Sequence, residues 1–243
     1  MTVGVDRRDG VVVVTIDRPD VHNCVDSKTA DVLELAVRSF DESDADRVLV
    51  VTGSGGRAFC SGADLKNPPR LREAGPMGFS RLEVSKPTIA AIEGYCFAGG
   101  LELACWCDFR IAGSSSEYGV LNRRWGVPLI DGGTQRLPKI VGLGNALYLI
   151  ETGARIDAAT ALRIGLVQEV VADGTALVRA LELAAAIASY PQASLHADRA
   201  SAVALDGIAA EAARGEPTLG VDEMREGLKR FRSGDRSQTP RPT

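Results

Sequence analysis

Two apolar runs, Val48–Thr52 and Thr88–Ile92, constrain this chain more than any other feature. Both are strand-length and uncharged, and each reads as a buried strand. Each is followed by a glycine-bearing segment: Cys60-Ser61-Gly62-Ala63-Asp64-Leu65 after the first, and Gly94-Tyr95-Cys96-Phe97-Ala98-Gly99-Gly100-Leu101-Glu102 after the second. Ligands of open α/β sheets bind at the carboxyl ends of strands. Two turns side by side there can aim two backbone N–H groups at one point, a donor pair for charge developing on a carbonyl oxygen.

The rest of the chain fits an α/β reading. Val11–Ile16 is a β-branched strand ended by Arg18-Pro19-Asp20. Asp26 or Ser27 can cap a helix whose apolar positions include Val32, Leu33, Leu35, Ala36, Val37 and Phe40. The strand Arg47–Thr52 leads into Gly53-Ser54-Gly55-Gly56, which lacks the Gly-Lys-Ser/Thr ending of a phosphate loop and reads as a turn. Lys66–Gly78, with prolines at 68, 69 and 76, is expected as an irregular loop over the site. A strand at Thr88–Ile92, a helix at Gly99–Trp106 and a strand at Asp108–Ala112 form a βαβ alternation, which implies a parallel sheet with right-handed crossovers. From about Gly132 the pattern turns mainly helical, with helices at Gly133–Ile140, Ala158–Arg163 and Leu177–Ala188 and a last strand at Val167–Val171. The expected organisation is a core over 1–190, a helical C-terminal region over 191–232 and a frayed tail over 233–243.

Composition excludes several functions. The net charge is −4, which argues against nucleic acid as the main partner. No apolar run approaches the roughly 20 residues of a membrane span, and the N-terminus lacks the layout of a secretory signal, so a cytoplasmic location is expected. The five cysteines include no CxxC pair and are expected reduced and partly buried. His22 and His196 are the histidines of the chain, too few to complete a metal site at Cys105-Trp106-Cys107 or a Ser-His-Asp triad. No metal and no separate cofactor is expected.

Several landmarks together resemble the enoyl-CoA hydratase/isomerase (crotonase) family. They are Arg18-Pro19…Asn23, Ala58-Phe59-Cys60-Ser61-Gly62-Ala63-Asp64-Leu65, Lys86-Pro87-Thr88-Ile89-Ala90-Ala91-Ile92 and Gly94-Tyr95…Gly99-Gly100-Leu101-Glu102-Leu103-Ala104…Asp108. They continue through Gly132-Gly133-Thr134-Gln135-Arg136-Leu137-Pro138, Thr152-Gly153-Ala154-Arg155-Ile156…Gly165-Leu166-Val167 and Arg225-Glu226-Gly227, in the family's order over nearly the whole chain. The resemblance implies an α/β, crotonase-like spiral of ββα units with a helical C-terminal trimerisation region. It implies a homotrimer or a dimer of trimers acting on acyl-CoA thioesters, with coenzyme A entering as part of the substrate. Ala63 and Gly99 match the family's oxyanion-hole N–H groups. Val21 and His22, with Ala63, Asp64, Leu65 and Lys66, match stretches lining the coenzyme A path, although His22 could equally sit at a loop surface.

Gly99 suits its role, because no Cβ obstructs a ligand and it opens a helix whose positive end favours an oxyanion. Hydratases of the family use two glutamates. Glu102 matches the first; its alternative reading is a helix N-terminal residue favoured by the dipole. The second position falls on Asn122, which can hydrogen-bond substrate but cannot transfer a proton, and losing a general acid or base costs ~10²–10⁴ in rate. Arg123, Arg124 and Trp125 are bulkier and more basic than an open acyl tunnel needs, the alternative being an interface or surface role. Asp131 is a candidate substitute acid, or else the N-cap of the helix from Gly133; related isomerases carry an acid where this chain has Ile130. Glu93 reads as structural. The leading expectation is an enoyl-CoA enzyme with Glu102 as principal acid/base, shifted toward isomerisation or another enolate reaction. A non-catalytic acyl-CoA-binding protein is the rival, and a thioester hydrolase a weaker one.

Overall fold

The computed structural model describes residues 2–234. Strand β1 (Val3–Arg8) turns at Asp9-Gly10, both at positive φ, into antiparallel β2 (Val11–Ile16), a two-residue hairpin. A single turn at Pro19–Val21 precedes α1 (Ser27–Glu42), whose N-cap Asp26 accepts the Thr29 N–H. The chain continues through β3 (Val48–Gly53), β4 (Ala58–Cys60), β5 (Thr88–Ile92), β6 (Tyr95–Phe97), α2 (Gly99–Trp106), β7 (Phe109–Gly113) and β8 (Glu117–Gly119). After a short turn at Leu121–Trp125 come α3 (Gly133–Val141), α4 (Leu143–Thr152), β9 (Arg155–Asp157), α5 (Ala158–Arg163), β10 (Glu169–Val171) and α6 (Ala176–Ser189). Helices α7 (Gln192–Ala204), α8 (Ile208–Gly215) and α9 (Asp222–Ser233) complete the described chain.

A six-stranded sheet has the order β1-β2-β3-β5-β7-β10, parallel apart from the β1–β2 hairpin. A four-stranded sheet has the order β4-β6-β8-β9. The pairs β3/β4, β5/β6 and β7/β8 each give one strand to either sheet, so successive ββ units, the later two followed by helices α2 and α3, climb as a spiral. This is the architecture the resemblance implies.

Strand pleat divides the core in two. Val48, Val50, Ile89, Ala91 and Ile111 face α6, which meets them with Ala176, Ala180, Ala184 and Ala188 at four-residue spacing. Leu49, Val51, Ala90, Ile92 and Ala112 join α1, α2 and the second sheet in the larger cluster.

Some boundaries differ from expectation. The strand expected from Asp108 begins at Phe109, because the Asp108 carboxylate is bound by Arg199 and the Thr88 N–H. The last strand starts at Glu169 rather than Val167, which is packed in the core. β1 carries no strand signal in the sequence, since most of its side chains are exposed and leave no apolar run. Ser233 closes α9 rather than beginning a frayed tail; residues 235–243 of that expected tail lie outside the described residues. All five cysteines are free and buried. Among the described residues no helix is long and apolar enough to cross a membrane, and no group of three or more His, Cys, Asp or Glu side chains is suited to a metal.

Candidate active site

Strands β4 and β6 pair in parallel, which brings the two glycine turns side by side. They are packed so closely that side chains are excluded. A Cβ at Gly62 would stand 3.0 Å from the Gly99 nitrogen, and one at Gly100 would stand 2.0 Å from the Cys60 carbonyl oxygen. Between them Ala98 adopts φ 51 and ψ −122, a sparsely populated conformation that costs about 1–3 kcal/mol. Its N–H is anchored on the Gly119 carbonyl at 2.9 Å, and α2 starts immediately after it.

The first turn is pinned from the opposite side. Val25 donates to the Gly62 carbonyl at 2.9 Å and accepts the Asp64 N–H at 2.8 Å. Residues 62 and 64 thus spend their polar groups on Val25, and the alternation of an extended chain points the intervening Ala63 N–H the other way. On that side lies a cavity of about 390 Å³, walled by Ala63, Leu65, Gly99, Glu102, Asn122 and Asp131 together with apolar groups including Pro68, Leu71, Met77, Leu121, Trp125 and Val127.

A half-buried arginine and a buried asparagine hold these loops. Arg18 donates to the Cys24 carbonyl and pairs with Asp26 and Asp64 at 3.2 and 3.1 Å. The fully buried Asn23 accepts the Arg18 N–H at 2.9 Å and donates to the Ser54 and Ala58 carbonyls at 3.0 and 2.6 Å.

Asp64 faces Arg18 rather than the cavity. Against the upward push of burial, hydrogen bonds from Arg18 and from the N–H groups of Lys66 and Asn67 hold its carboxyl below its ordinary value. Lys66 is exposed and Val21 lies on the surface turn, while the His22 ring meets Tyr95 at 5.9 Å; none of the three is in the cavity wall.

Glu102 projects from the first turn of α2 but is not spent on its own helix. Its Oε1 accepts the N–H groups of Asp131 and Gly133, at 2.9 and 2.8 Å, on the N-terminus of α3. Among the described residues Oε2 makes no hydrogen bond. Burial pushes this carboxyl up to about 7, against the lowering effect of the Gly133 N–H and with further upward pressure from the Asp131 carboxylate.

Asp131 does not cap α3, as the helix begins after Gly132 with no side-chain cap. Its carboxylate instead crosses to the 74–81 segment, where Oδ1 accepts the Met77 N–H at 3.1 Å and also the Ser80 hydroxyl. Ile130 adds an apolar side chain to the cavity wall.

Asn122 donates from Nδ2 to the Val127 carbonyl at 2.7 Å, while its buried Oδ1 has no hydrogen-bond partner among the described residues. Arg123 and Arg124 turn to the carbonyls of Ile150 and Gly153 and do not narrow the cavity; Trp125 is exposed at its rim. Glu93 is structural, its Oε1 accepting the Ala176 N–H at the start of α6.

Sequence reasoning gave no role to Met77, Ser80, Arg136, Arg18 or Asn23. Three of these stand in the quoted landmarks, a usable signal. Met77 and Ser80 carry none, because they sit in or beside an irregular loop without periodicity.

The model of the family described as enoyl-CoA hydratase/isomerase matches residues 6–233. The chain is 36% identical to a crotonyl-CoA hydratase of Syntrophomonas wolfei, over 81% of this chain and 79% of that protein. It is 37% identical to a short-chain-enoyl-CoA hydratase of Clostridium acetobutylicum, over 76% of this chain and 74% of that protein. Its fold superposes on a solved enoyl-CoA hydratase from Mycobacterium tuberculosis H37Rv with a TM-score of 0.89 and 31% identity, covering 97% of both chains.

Proposed function

The chain belongs to the enoyl-CoA hydratase/isomerase family of enzymes, and from that premise we propose that it holds an enoyl-coenzyme A thioester with the carbonyl oxygen between the Ala63 and Gly99 N–H groups and moves a substrate proton with Glu102. The observation that carries this reading is the Glu102 carboxyl, buried in the cavity with one oxygen tied to α3 and the other unclaimed. A carboxyl poised near neutrality is suited to both taking and returning a proton. Two preorganised donors stabilise a thioester enolate by about 3–4 kcal/mol each.

The reaction we favour is movement of a double bond between 3-enoyl and 2-enoyl thioesters. Glu102 takes a proton from C2, the electron pair passes to the carbonyl oxygen as an enolate, and the enolate is protonated at C4. Asp131 is the second proton-transfer group: its carboxylate takes that proton from Glu102 and delivers it to C4, which returns both groups to their starting state. Asn122 accepts a hydrogen bond from substrate without transferring a proton. Water addition is the second reading. It needs two carboxyl groups, and it is favoured by the presence of Asp131 in the same cavity and by the names of the hydratase relatives.

The apolar walls suit a hydrocarbon acyl chain. The homotrimer or dimer of trimers is supported by apolar side chains left exposed on and between α7 and α9, among them Leu205, Ile208, Leu219 and Phe231. A cytoplasmic location fits five buried thiols and a coenzyme A substrate.

Replacing Glu102 by Gln tests the proposal, with 2-enoyl- and 3-enoyl-CoA supplied separately and products identified. Loss of turnover with acyl-CoA binding retained is expected. Undiminished turnover overturns it. Binding without turnover in the unaltered protein would instead favour a non-catalytic acyl-CoA-binding role.

A further inference from the structure

Ser80 and Asp131 stand 51 residues apart in sequence, and both are buried where the 74–81 segment meets the loop before α3. The Ser80 hydroxyl and the Met77 N–H converge on the same carboxylate oxygen, Oδ1 of Asp131. Oδ2 makes no hydrogen bond among the described residues. Space for this contact depends on Gly75, at φ +93. A Cβ there would lie 2.0 Å from Ser80 Oγ and 2.8 Å from Asp131 Oδ1. Arg136 fastens the two backbones, donating to the Asp131 carbonyl at 3.0 Å and to the Ser80 carbonyl at 2.7 Å. The same segment reaches the oxyanion turn, since a Cβ on Gly99 would stand 2.8 Å from Met77 Sδ.

A carboxylate free to turn about its side-chain bonds offers its oxygens in many directions. Two donors on one oxygen fix its plane and aim the other oxygen. We propose that Ser80 is a positioning residue: its hydroxyl, with the Met77 N–H, holds Oδ1 of Asp131 so that Oδ2 is presented to the substrate, and Arg136 keeps the two loops in register. The proposal rests on the reading of Asp131 as a proton-transfer group. Misplacement of a reacting group by about 1 Å can cost ~10²-fold in rate, so removal of the hydroxyl acts on kcat rather than on binding.

The test compares Ser80→Ala, Asp131→Asn and the double variant in steady-state kinetics on enoyl-CoA, with thermal unfolding of each. Ser80→Ala should lower kcat by about 10- to 100-fold and change KM by less than about threefold. In the Asp131→Asn background the same substitution should lower kcat by less than about twofold, because the group it positions is gone. Ser80→Cys, which keeps the volume and a weak donor, should lie between Ser80→Ala and the unaltered enzyme, and it serves if the alanine variant does not fold. Equal fold-losses in both backgrounds, or an unchanged kcat in Ser80→Ala and Ser80→Cys beside a slow Asp131→Asn, overturn the proposal alone. An unchanged kcat in Asp131→Asn overturns the reading of Asp131 and the proposal with it.

Discussion

Glu102 is seated on a helix other than its own: its Oε1 accepts the Gly133 N–H at 2.8 Å, and a Cβ at Gly133 would lie 2.8 Å from Glu102 Cγ. A glycine at 133 is therefore a condition of the acid's position, and α3 lends the dipole of its N-terminus to a carboxyl of α2.

Gly133→Ala should displace that carboxyl. The expected result is a loss of kcat of about 10²-fold, the scale on which misplacing a catalytic group acts. Steady-state kinetics beside acyl-CoA titration checks it, and the acyl-CoA dissociation constant should change little.

The pH profile follows from the Glu102 carboxyl standing at about 7 rather than the ordinary 4.5. If the ionised form takes the proton, kcat/KM should fall tenfold per pH unit below about 7. Stability runs the opposite way. Between 4.5 and about 7 the folded state holds a proton that the unfolded state releases, so stability declines as pH rises through that window and levels above it, by up to about 3 kcal/mol. Urea unfolding from pH 4.5 to 8 should show the decline, and Glu102→Gln should flatten it.

Asn122→Glu tests the reaction class. It supplies a carboxyl at the position the resemblance assigns to a second glutamate, and water addition to 2-enoyl-CoA should rise by at least about tenfold, within the range a general acid or base contributes. Product analysis by chromatography decides it; an unchanged hydration rate would show that the position does not reach the reacting carbons.

Arg18→Ala should leave the buried Asp64 carboxylate and the half-buried Asp26 carboxylate without their shared partner. Breaking a fully buried pair costs about 3–5 kcal/mol; with Arg18 and Asp26 partly exposed the cost here should be smaller, and the midpoint of chemical unfolding should still drop. Activity should fall too, because the Ala63 turn loses its anchor.

Polar replacements at Leu205, Ile208 and Phe231, all strongly exposed, should shift sedimentation toward the monomer if these side chains form the proposed contact between copies. The same species distribution in the variant and the parent would argue against that face.

Local signals were legible where they were regular. Thr88–Ile92 has the boundaries read from sequence and the helix expected near Gly99–Trp106 spans those residues, since an apolar strand and a glycine-opened helix both mark their own extent. The cavity's Ala63, Gly99, Glu102, Asn122 and Asp131 were all named from sequence. The partners of these residues were not legible, because they are set by distant contacts. Asp131 reads locally as a helix cap, yet its carboxylate is drawn 51 residues back to Ser80. The resemblance places Asp64 on the coenzyme A path, yet its carboxylate is committed to Arg18, 46 residues away. Charge and turn chemistry locate an acid; only the packing of loops decides what it faces.

The Asn23 side chain has a consequence for how the molecule breathes. One amide joins the Arg18 N–H to the Ser54 and Ala58 carbonyls, so the loop after β2 cannot open while the β3–β4 connection stays closed. The amide protons of Arg18, Ser61 and Asp64 should exchange with solvent deuterium at one common opening free energy, as a single cooperative unit beside the cavity.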